Sequence, residues 1–66
     1  MQSIKAAREA LGMTQCELAE LLGITQGAIA QWESGQTHPA FYRLVQVAEI
    51  LGITVDEIAS SEQKGG

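Results

Sequence analysis

A four-residue pattern occurs three times in this 66-residue chain and divides it into short segments. The copies are LGMT at 11–14 and LGIT at 22–25 and 51–54. In each copy the Gly can end a helix in left-handed conformation, and the Thr can cap the next helix. We interpret each copy as the same joint between helices: a last core Leu, a Gly, an apolar residue and a capping Thr. The pattern therefore predicts an all-α fold of short helices.

The segment QCELAELLGITQGAIAQWES, residues 15–34, is predicted to form two short helices with a tight corner at Gly23. Thr14 and Glu17 have the spacing of a capping box at its start. Apolar residues recur at helical spacing in both helices: Leu18, Ala19 and Leu22 in the first, Ile29 and Trp32 in the second. A small residue in the first helix and a β-branched one in the second allow a close crossing. This arrangement is typical of a helix-turn-helix.

The chain resembles the phage repressor and Cro-type (XRE-like) helix-turn-helix domains over roughly residues 4–59. The residues that carry the resemblance are Thr14-Gln15, Leu18-Ala19, Leu22-Gly23, Glu33-Ser34-Gly35 and Pro39. It implies an all-α, compact five-helix bundle of the lambda-repressor-like type, in which the second and third helices form the helix-turn-helix. We expect a DNA-binding domain over residues 1–59 and a disordered tail over 60–66.

The predicted helices span about 3–11, 15–22, 26–34, 40–51 and 55–59. In the first helix, Ile4, Ala7 and Leu11 are expected to share the buried face. The apolar side of the fourth helix is predicted to consist of Phe41, Leu44, Val45, Val47, Ala48 and Leu51.

Composition limits the class of protein. Cys16 is the only cysteine, so no internal disulfide can form and a reducing compartment is expected. No apolar run approaches the ~20 residues of a membrane span, and no signal peptide is visible. We therefore expect a cytoplasmic protein.

The net charge of −4 is unusual for a nucleic-acid binder, which is commonly basic. Residues 1–44 carry three basic and four acidic side chains, whereas residues 45–66 carry one basic and four acidic. Residues 25–32 carry no charge at all. We interpret the acidity as lowering the affinity for DNA without excluding it.

The third helix differs from its neighbours in its first turn. Thr14 and Thr54 are each followed three residues later by an acid, but Thr25 is followed by Ala28. An acid at that position would repel a phosphate approaching the helix N-terminus. Its absence favours the third helix as the one that meets DNA, although Ala28 alone is equally explained as a good helix former.

The side of the third helix opposite Ile29 carries small and amide side chains. Gln can pair with adenine through two hydrogen bonds, and an Ala methyl can contact a thymine methyl. By themselves these residues also fit an ordinary solvent-exposed face. The resemblance favours base reading, and the residues it implies for that role are Gln26, Gly27, Ala30 and Gln31. Gly27 costs roughly 1 kcal/mol of helix stability relative to Ala, which a close approach of the backbone to DNA would explain.

The resemblance also implies contacts to the DNA backbone and one structural ion pair. The predicted backbone contacts are Thr14, Gln15, Thr25, Ser34, Gln36, Thr37, His38 and Arg43. For His38, a solvated loop residue is an equal alternative. The predicted ion pair joins Arg8 in the first helix to Glu33 at the end of the third.

The function that we predict is sequence-specific recognition of duplex DNA by a transcriptional regulator, a repressor or Cro-like protein, with the third helix in the major groove. One alternative is the antitoxin of a toxin–antitoxin pair, although only about seven tail residues are left for a toxin-binding segment. Another is a protein-binding adaptor that no longer binds DNA. An enzyme is not expected, because one His, one Cys and scattered carboxylates form no catalytic or metal-ligand spacing, and no cofactor is implied.

The predicted active form is a symmetric dimer on a palindromic operator. The resemblance implies a contact near the fifth helix, where Val55, Ile58 and Ala59 are available. Because Ile58 is expected to face the core, the contact is small. We expect a weak homodimer whose pairing is completed on DNA.

Overall fold

Five helices make up the computed structural model, which describes residues 3–62, with side chains described for residues 3–58. The helices are α1 (Ile4–Ala10), α2 (Gln15–Leu22), α3 (Gln26–Ser34), α4 (Phe41–Leu51) and α5 (Val55–Glu62). The predicted all-α five-helix architecture is thus confirmed. None of these helices is both long and apolar enough to cross a membrane.

The joints between the helices have the predicted local chemistry. The Thr14 hydroxyl accepts from the Glu17 amide, and the Glu17 carboxylate accepts from the Thr14 amide, which completes the capping box of α2. Thr54 and Glu57 exchange the same bonds at α5. Gly23 and Gly52 end α2 and α4 with φ of 72°, a conformation that favours glycine.

One buried cluster draws on all five helices. Its members are Ile4, Ala7, Leu18, Ala19, Leu22, Ile29, Trp32, Leu44, Val47, Ala48, Leu51 and Ile58. α3 packs against α2 and α1, while α4 packs against α1, α2 and α5. The core therefore holds one side of α3 fixed and leaves its other side exposed.

Two predicted core positions, Leu11 and Phe41, are wrong, and a third, Val45, is only half-buried and lies outside the core cluster. Leu11 is 55% exposed, because α1 ends at Ala10 and the buried side of its last turn is occupied by Arg8 instead. Phe41 is 70% exposed. It is the first residue of α4, and the buried side of that helix begins one turn later, at Leu44.

The fifth helix is longer than predicted. It continues to Glu62 instead of ending near residue 59, so residues 60–62 belong to a helix and not to a disordered tail. The remainder of the predicted tail, residues 63–66, lies outside the described residues.

Candidate nucleic-acid interface

The exposed side of α3 carries the residues predicted to read bases. Gln26, Gly27 and Gln31 are exposed and Ala30 is half-buried, whereas Ile29 is fully buried and Trp32 is 9% exposed on the core side. The N-terminus of α3 is capped by the Thr25 hydroxyl, which accepts from the Ala28 amide. Its first turn contains no acid. The helix thus presents an uncharged, amide-bearing ridge on a fixed support.

Arg8 and Glu33 form the predicted ion pair. Arg8 Nε donates to Glu33 Oε2 at 2.7 Å and Arg8 Nη2 donates to Glu33 Oε1 at 3.1 Å, a two-point contact. The two side chains are only 9% and 5% exposed. A third bond, from Arg8 Nη1 to the Met13 carbonyl, ties the turn between α1 and α2 to the same guanidinium. The pair therefore joins α1, the following turn and the end of α3.

Gln15 extends this contact to the exposed ridge of α3, a connection that the sequence did not predict. Its Nε2 donates to Glu33 Oε1 at 2.9 Å, and its Oε1 accepts from Gln26 Nε2 at 2.6 Å. We call Arg8, Glu33, Gln15 and Gln26 the hydrogen-bond relay. It begins at a buried cation and ends at an exposed glutamine on the first turn of α3.

The chemistry of the relay fixes the direction of each bond. The Glu33 carboxylate only accepts, so Gln15 must turn its NH₂ group toward it. Gln15 then offers its oxygen to Gln26, which must donate from its own NH₂ group. Gln26 keeps its side-chain oxygen and one N–H for a partner outside the relay. This pair of groups matches the edge of adenine.

Gln15 has contacts within the protein, and its predicted contact to the DNA backbone stays a prediction. The side chain is half-buried between α2 and α3 and already bonds to two protein partners. One N–H of its amide is left to donate to a phosphate. We therefore expect a substitution at Gln15 to change the orientation of the Gln26 side chain as well as the affinity for DNA of any sequence.

The hydroxyl groups at the helix ends differ in whether their hydrogen is available to donate to a phosphate. The Thr14 and Thr25 hydroxyls act as acceptors in their caps, so each retains its hydrogen. The Ser34 hydroxyl instead donates to the Gln31 carbonyl at 3.2 Å. A phosphate contact from Ser34 would therefore require its hydroxyl to turn.

The loop after α3 is tied to the last turn of that helix. Gly35 takes a left-handed conformation with φ of 84°, and the Gln36 amide donates to the Gln31 carbonyl. This Schellman-type ending fixes the path of residues 35–37. Gln36, Thr37 and His38 are all exposed, so the loop lies open to a partner that contacts α3.

Arg43 has a structural role that the sequence did not indicate. Its Nη1 donates to the Leu22 carbonyl at the end of α2 and to Gln46 Oε1, and the guanidinium lies 5.2 Å from the centre of the Tyr42 ring. A carbonyl in the last turn of a helix lacks a partner within the helix and is satisfied here by a cation. The phosphate contact predicted for Arg43 stays a prediction.

Gly27 has no structural reason to be glycine within the described protein. It is helical, exposed and absent from the positive-φ glycines. A Cβ built there would meet only Thr25 Oγ1, at 3.9 Å. The fold therefore tolerates a side chain at this position, which leaves a close approach by an external partner as the hypothesis.

Of the residues predicted for a dimer contact, Ile58 is fully buried and offers no surface to a second protomer. This agrees with its expected position toward the core. Val55 is half-buried against the core. The side chain of Ala59 lies outside the described residues. Among the described side chains of this set, only Val55 offers surface for the predicted contact.

Comparison with known proteins identifies the fold and its class. A family model described as helix-turn-helix matches residues 4–58, which is most of the chain. The chain belongs to the helix-turn-helix family. The resemblance to phage repressor and Cro-type domains is thereby confirmed, and α2 and α3 are the two helices of the motif that gives the family its name.

Curated relatives of this helix-turn-helix chain are regulators of transcription. The transcriptional activator BcrR of Enterococcus faecalis is 32% identical over 94% of the chain and 30% of its own length. The cryptic phage CTXphi repressor RstR of Vibrio cholerae is 35% identical over 77% of the chain and 46% of its own length. An uncharacterized regulator, y4dL of Sinorhizobium fredii, is 43% identical over 82% of the chain and 28% of its own length.

The chain thus spans less than half the length of these three relatives. No solved structure matches it significantly.

Proposed function

We propose that this domain binds duplex DNA in a sequence-specific manner and regulates transcription, with α3 in the major groove. The observation that carries the proposal is the relay, which holds the amide of Gln26 at the exposed start of α3 with an adenine-type edge outward. Gln31 offers a second exposed amide on the same side. The helix-turn-helix family and its regulator relatives support this function.

Phosphate contacts position such a domain, and base contacts give it specificity. The N-terminal end of α2, with Thr14 and Gln15, would hold one phosphate, and the loop carrying Gln36, Thr37 and His38 would hold the neighbouring backbone. The hydroxyl hydrogens of Thr14 and Thr25 are suited to donate to phosphate oxygens. Action on DNA implies a cytoplasmic site of action.

We favour a repressor or Cro-like role, because a domain that occupies an operator can block transcription without a further surface. The matched relatives include one activator and one repressor. A reporter assay with a bound operator placed either over a promoter or upstream of it distinguishes repression from activation. An antitoxin or adaptor role would instead require a protein partner.

The dependence of binding on salt tests the proposal. Within residues 3–58, the cations other than the buried Arg8 are Lys5 and Arg43, so the slope of log affinity against log salt is expected to be shallow, roughly −2 per protomer at ~0.9 per neutralised phosphate. Lys5→Gln removes one of these two charges and should reduce the magnitude of the slope by about 1. The measurement is a titration of labelled duplex followed by fluorescence anisotropy. Binding that is independent of salt, or absent at low salt, would contradict the proposal.

The active form that we propose is a symmetric dimer on a palindromic site. Two-fold pairing would place two copies of α3 about 34 Å apart, one turn of DNA. The free chains should pair weakly or not at all, because Ile58 is buried and residues 45–66 repel their copy through four acids against one base. Sedimentation with and without a palindromic duplex should show two protomers per duplex only when DNA is present. One protomer per duplex at saturation, on a site shown to be functional, would rule out the dimer.

A further inference from the structure

We propose that a cleft on the outer side of α2 binds a cationic amphipathic helix of a partner protein. Such a partner is additional to the DNA of the proposed function, because the cleft lies on the side of α2 that is turned away from α3. The cleft has a volume of about 410 Å³, at the lower end of the range for binding pockets. It is lined by Leu11, Gly12, Met13, Glu17, Glu20 and Leu21.

The apolar part of the cleft consists of exposed side chains on a fixed support. Leu11 is 55% exposed and Leu21 is 61% exposed, so each leaves more than half of its surface in water. Met13 is half-buried and packs against the core, and its carbonyl accepts from the buried Arg8 Nη1 at 2.6 Å. Apolar surface that is gathered at one place and rimmed by polar residues marks an interaction site.

The carboxylates of the cleft determine the charge of the partner. Glu17 and Glu20 are exposed and lie side by side on α2, since positions i and i+3 of a helix are neighbours on its surface. One oxygen of Glu17 accepts from the Thr14 amide, which leaves the other for an external donor. Among the described residues no basic side chain lines the cleft. The cleft therefore repels DNA phosphates and attracts Lys or Arg.

An amphipathic helix combines both requirements at the right spacing. Its apolar side chains, three or four positions apart, would enter the cleft between Leu11 and Leu21. Lys or Arg side chains one turn apart on the same helix would pair with Glu17 and Glu20.

A second copy of this chain does not supply such a helix within residues 3–58. The basic side chains of that part are Lys5, Arg8 and Arg43. Arg8 is buried against Glu33, and Arg43 bonds to the Leu22 carbonyl and to Gln46. The occupant is therefore a different protein.

The cleft stays accessible while α3 occupies the major groove. At about 100° per residue, Glu17 and Leu21 lie on the side of α2 opposite to Gln15. The amide of Gln15 bonds to Glu33 and Gln26 of α3, so the opposite side of α2 faces away from that helix. The partner can therefore bind the domain on DNA.

A synthetic helical peptide tests the cleft directly. The probe is alanine-based, with two leucines four positions apart and a lysine beside each of them on the same face. Isotope-labelled protein titrated with it should show amide shifts concentrated at residues 11–13 and 17–21, with a dissociation constant below roughly 1 mM. A peptide of the same composition with its leucines on opposite faces should bind roughly tenfold more weakly. Absence of shifts, equal binding of the two peptides, or shifts centred on the acidic α5 would overturn the proposal.

Two matched pairs of variants locate the site, and all four positions are exposed. Leu21→Gln should weaken binding of the peptide by roughly tenfold, whereas Phe41→Gln removes an exposed apolar side chain from α4 and should leave the affinity unchanged. Glu20→Gln should weaken binding by about threefold and reduce its dependence on salt, whereas Asp56→Asn should do neither. Equal effects within either pair would contradict the proposed site.

A titration in the presence of saturating duplex DNA separates this inference from the proposed function. The peptide should bind the DNA-bound domain with the affinity that it has for the free domain, and displacement of the peptide by DNA would contradict the placement of the cleft. A domain that binds the peptide but no DNA would contradict only the proposed function. A domain that binds DNA but not the peptide would contradict only this inference.

Discussion

Replacement of Glu33 by Gln is expected to lower the free energy of unfolding by ~3–5 kcal/mol, because the buried Arg8 guanidinium then keeps only the exposed Glu9 carboxylate, 3.9 Å away, as counter-charge. Both side chains are less than one-tenth exposed and are joined by two bonds. Arg8→Met should cost a similar amount, since it leaves the Glu33 carboxylate and the Met13 carbonyl without their donor. Urea denaturation followed by circular dichroism measures both effects.

A double-mutant cycle separates the pair from the individual substitutions. The double variant Arg8→Met with Glu33→Gln should be more stable than the sum of the two single losses predicts, because no unpaired buried charge remains. Sulfate is excluded from the protein surface and thereby stabilises the folded state, so its addition keeps the single variants folded during the measurement. Additive losses, with no coupling between positions 8 and 33, would show that the pair does not act as a unit.

The pair also makes stability depend on pH. Burial raises the pKa of Glu33, but hydrogen bonds from Arg8 and Gln15 and the charge of Arg8 outweigh it and hold the pKa below the ordinary 4.5. The unfolded chain therefore takes up this proton first as the pH falls. The contribution of Glu33 is fully present above pH 4.5 and is lost as the pH decreases through the folded-state pKa. The stability difference between the parent and Glu33→Gln should shrink accordingly.

Gln31→Ala is expected to reduce affinity by about 1–3 kcal/mol at one or two base positions of the operator. Its side chain is exposed on the ridge of α3 and lies outside the buried core. The fold should therefore be unaffected, and the loss should appear only for operators that carry the preferred base. A panel of single-base operator variants, each titrated with parent and variant protein, measures the effect.

Gln36→Ala is the matched control for that experiment, because it removes the same exposed side chain from the loop after α3. A contact to the DNA backbone carries no base information, so Gln36→Ala should weaken all operator variants about equally. If Gln31→Ala also weakens every variant equally, or weakens none, Gln31 does not read a base.

The parts of the fold that the sequence predicted are those determined by neighbouring residues. The capping box of Thr14 and Glu17 and the helix end at Gly23 depend on chemistry within a few positions along the chain. The same holds for the helical spacing that buries Ile29 and Trp32 on one side of α3. The pairing of Arg8 with Glu33 spans 25 positions, and it was predictable only through the resemblance to repressor domains.

The parts that were not predicted depend on how the helices meet. Gln15 bonds to Gln26 and Glu33 across separations of 11 and 18 positions, and Arg43 caps α2 from 21 positions away. Leu11 has the spacing of a core residue, but the end of α1 at Ala10 and the burial of Arg8 leave it in solvent. No local pattern distinguishes these outcomes from an amide on a surface, a free cation or a buried leucine.

The central claim, that α3 and its flanking loops form the DNA-binding surface, is tested most directly by titrating isotope-labelled protein with duplex DNA at low salt and following its amide resonances. The account predicts the largest shifts at the first turn of α2, along α3 and in residues 35–38, with side-chain amide shifts at Gln26 and Gln31. Smaller shifts are expected at the start of α5, where the proposed dimer contact would form on DNA. Shifts that spare α3 and concentrate on α4 and α5, or no shifts at all, would contradict the central claim.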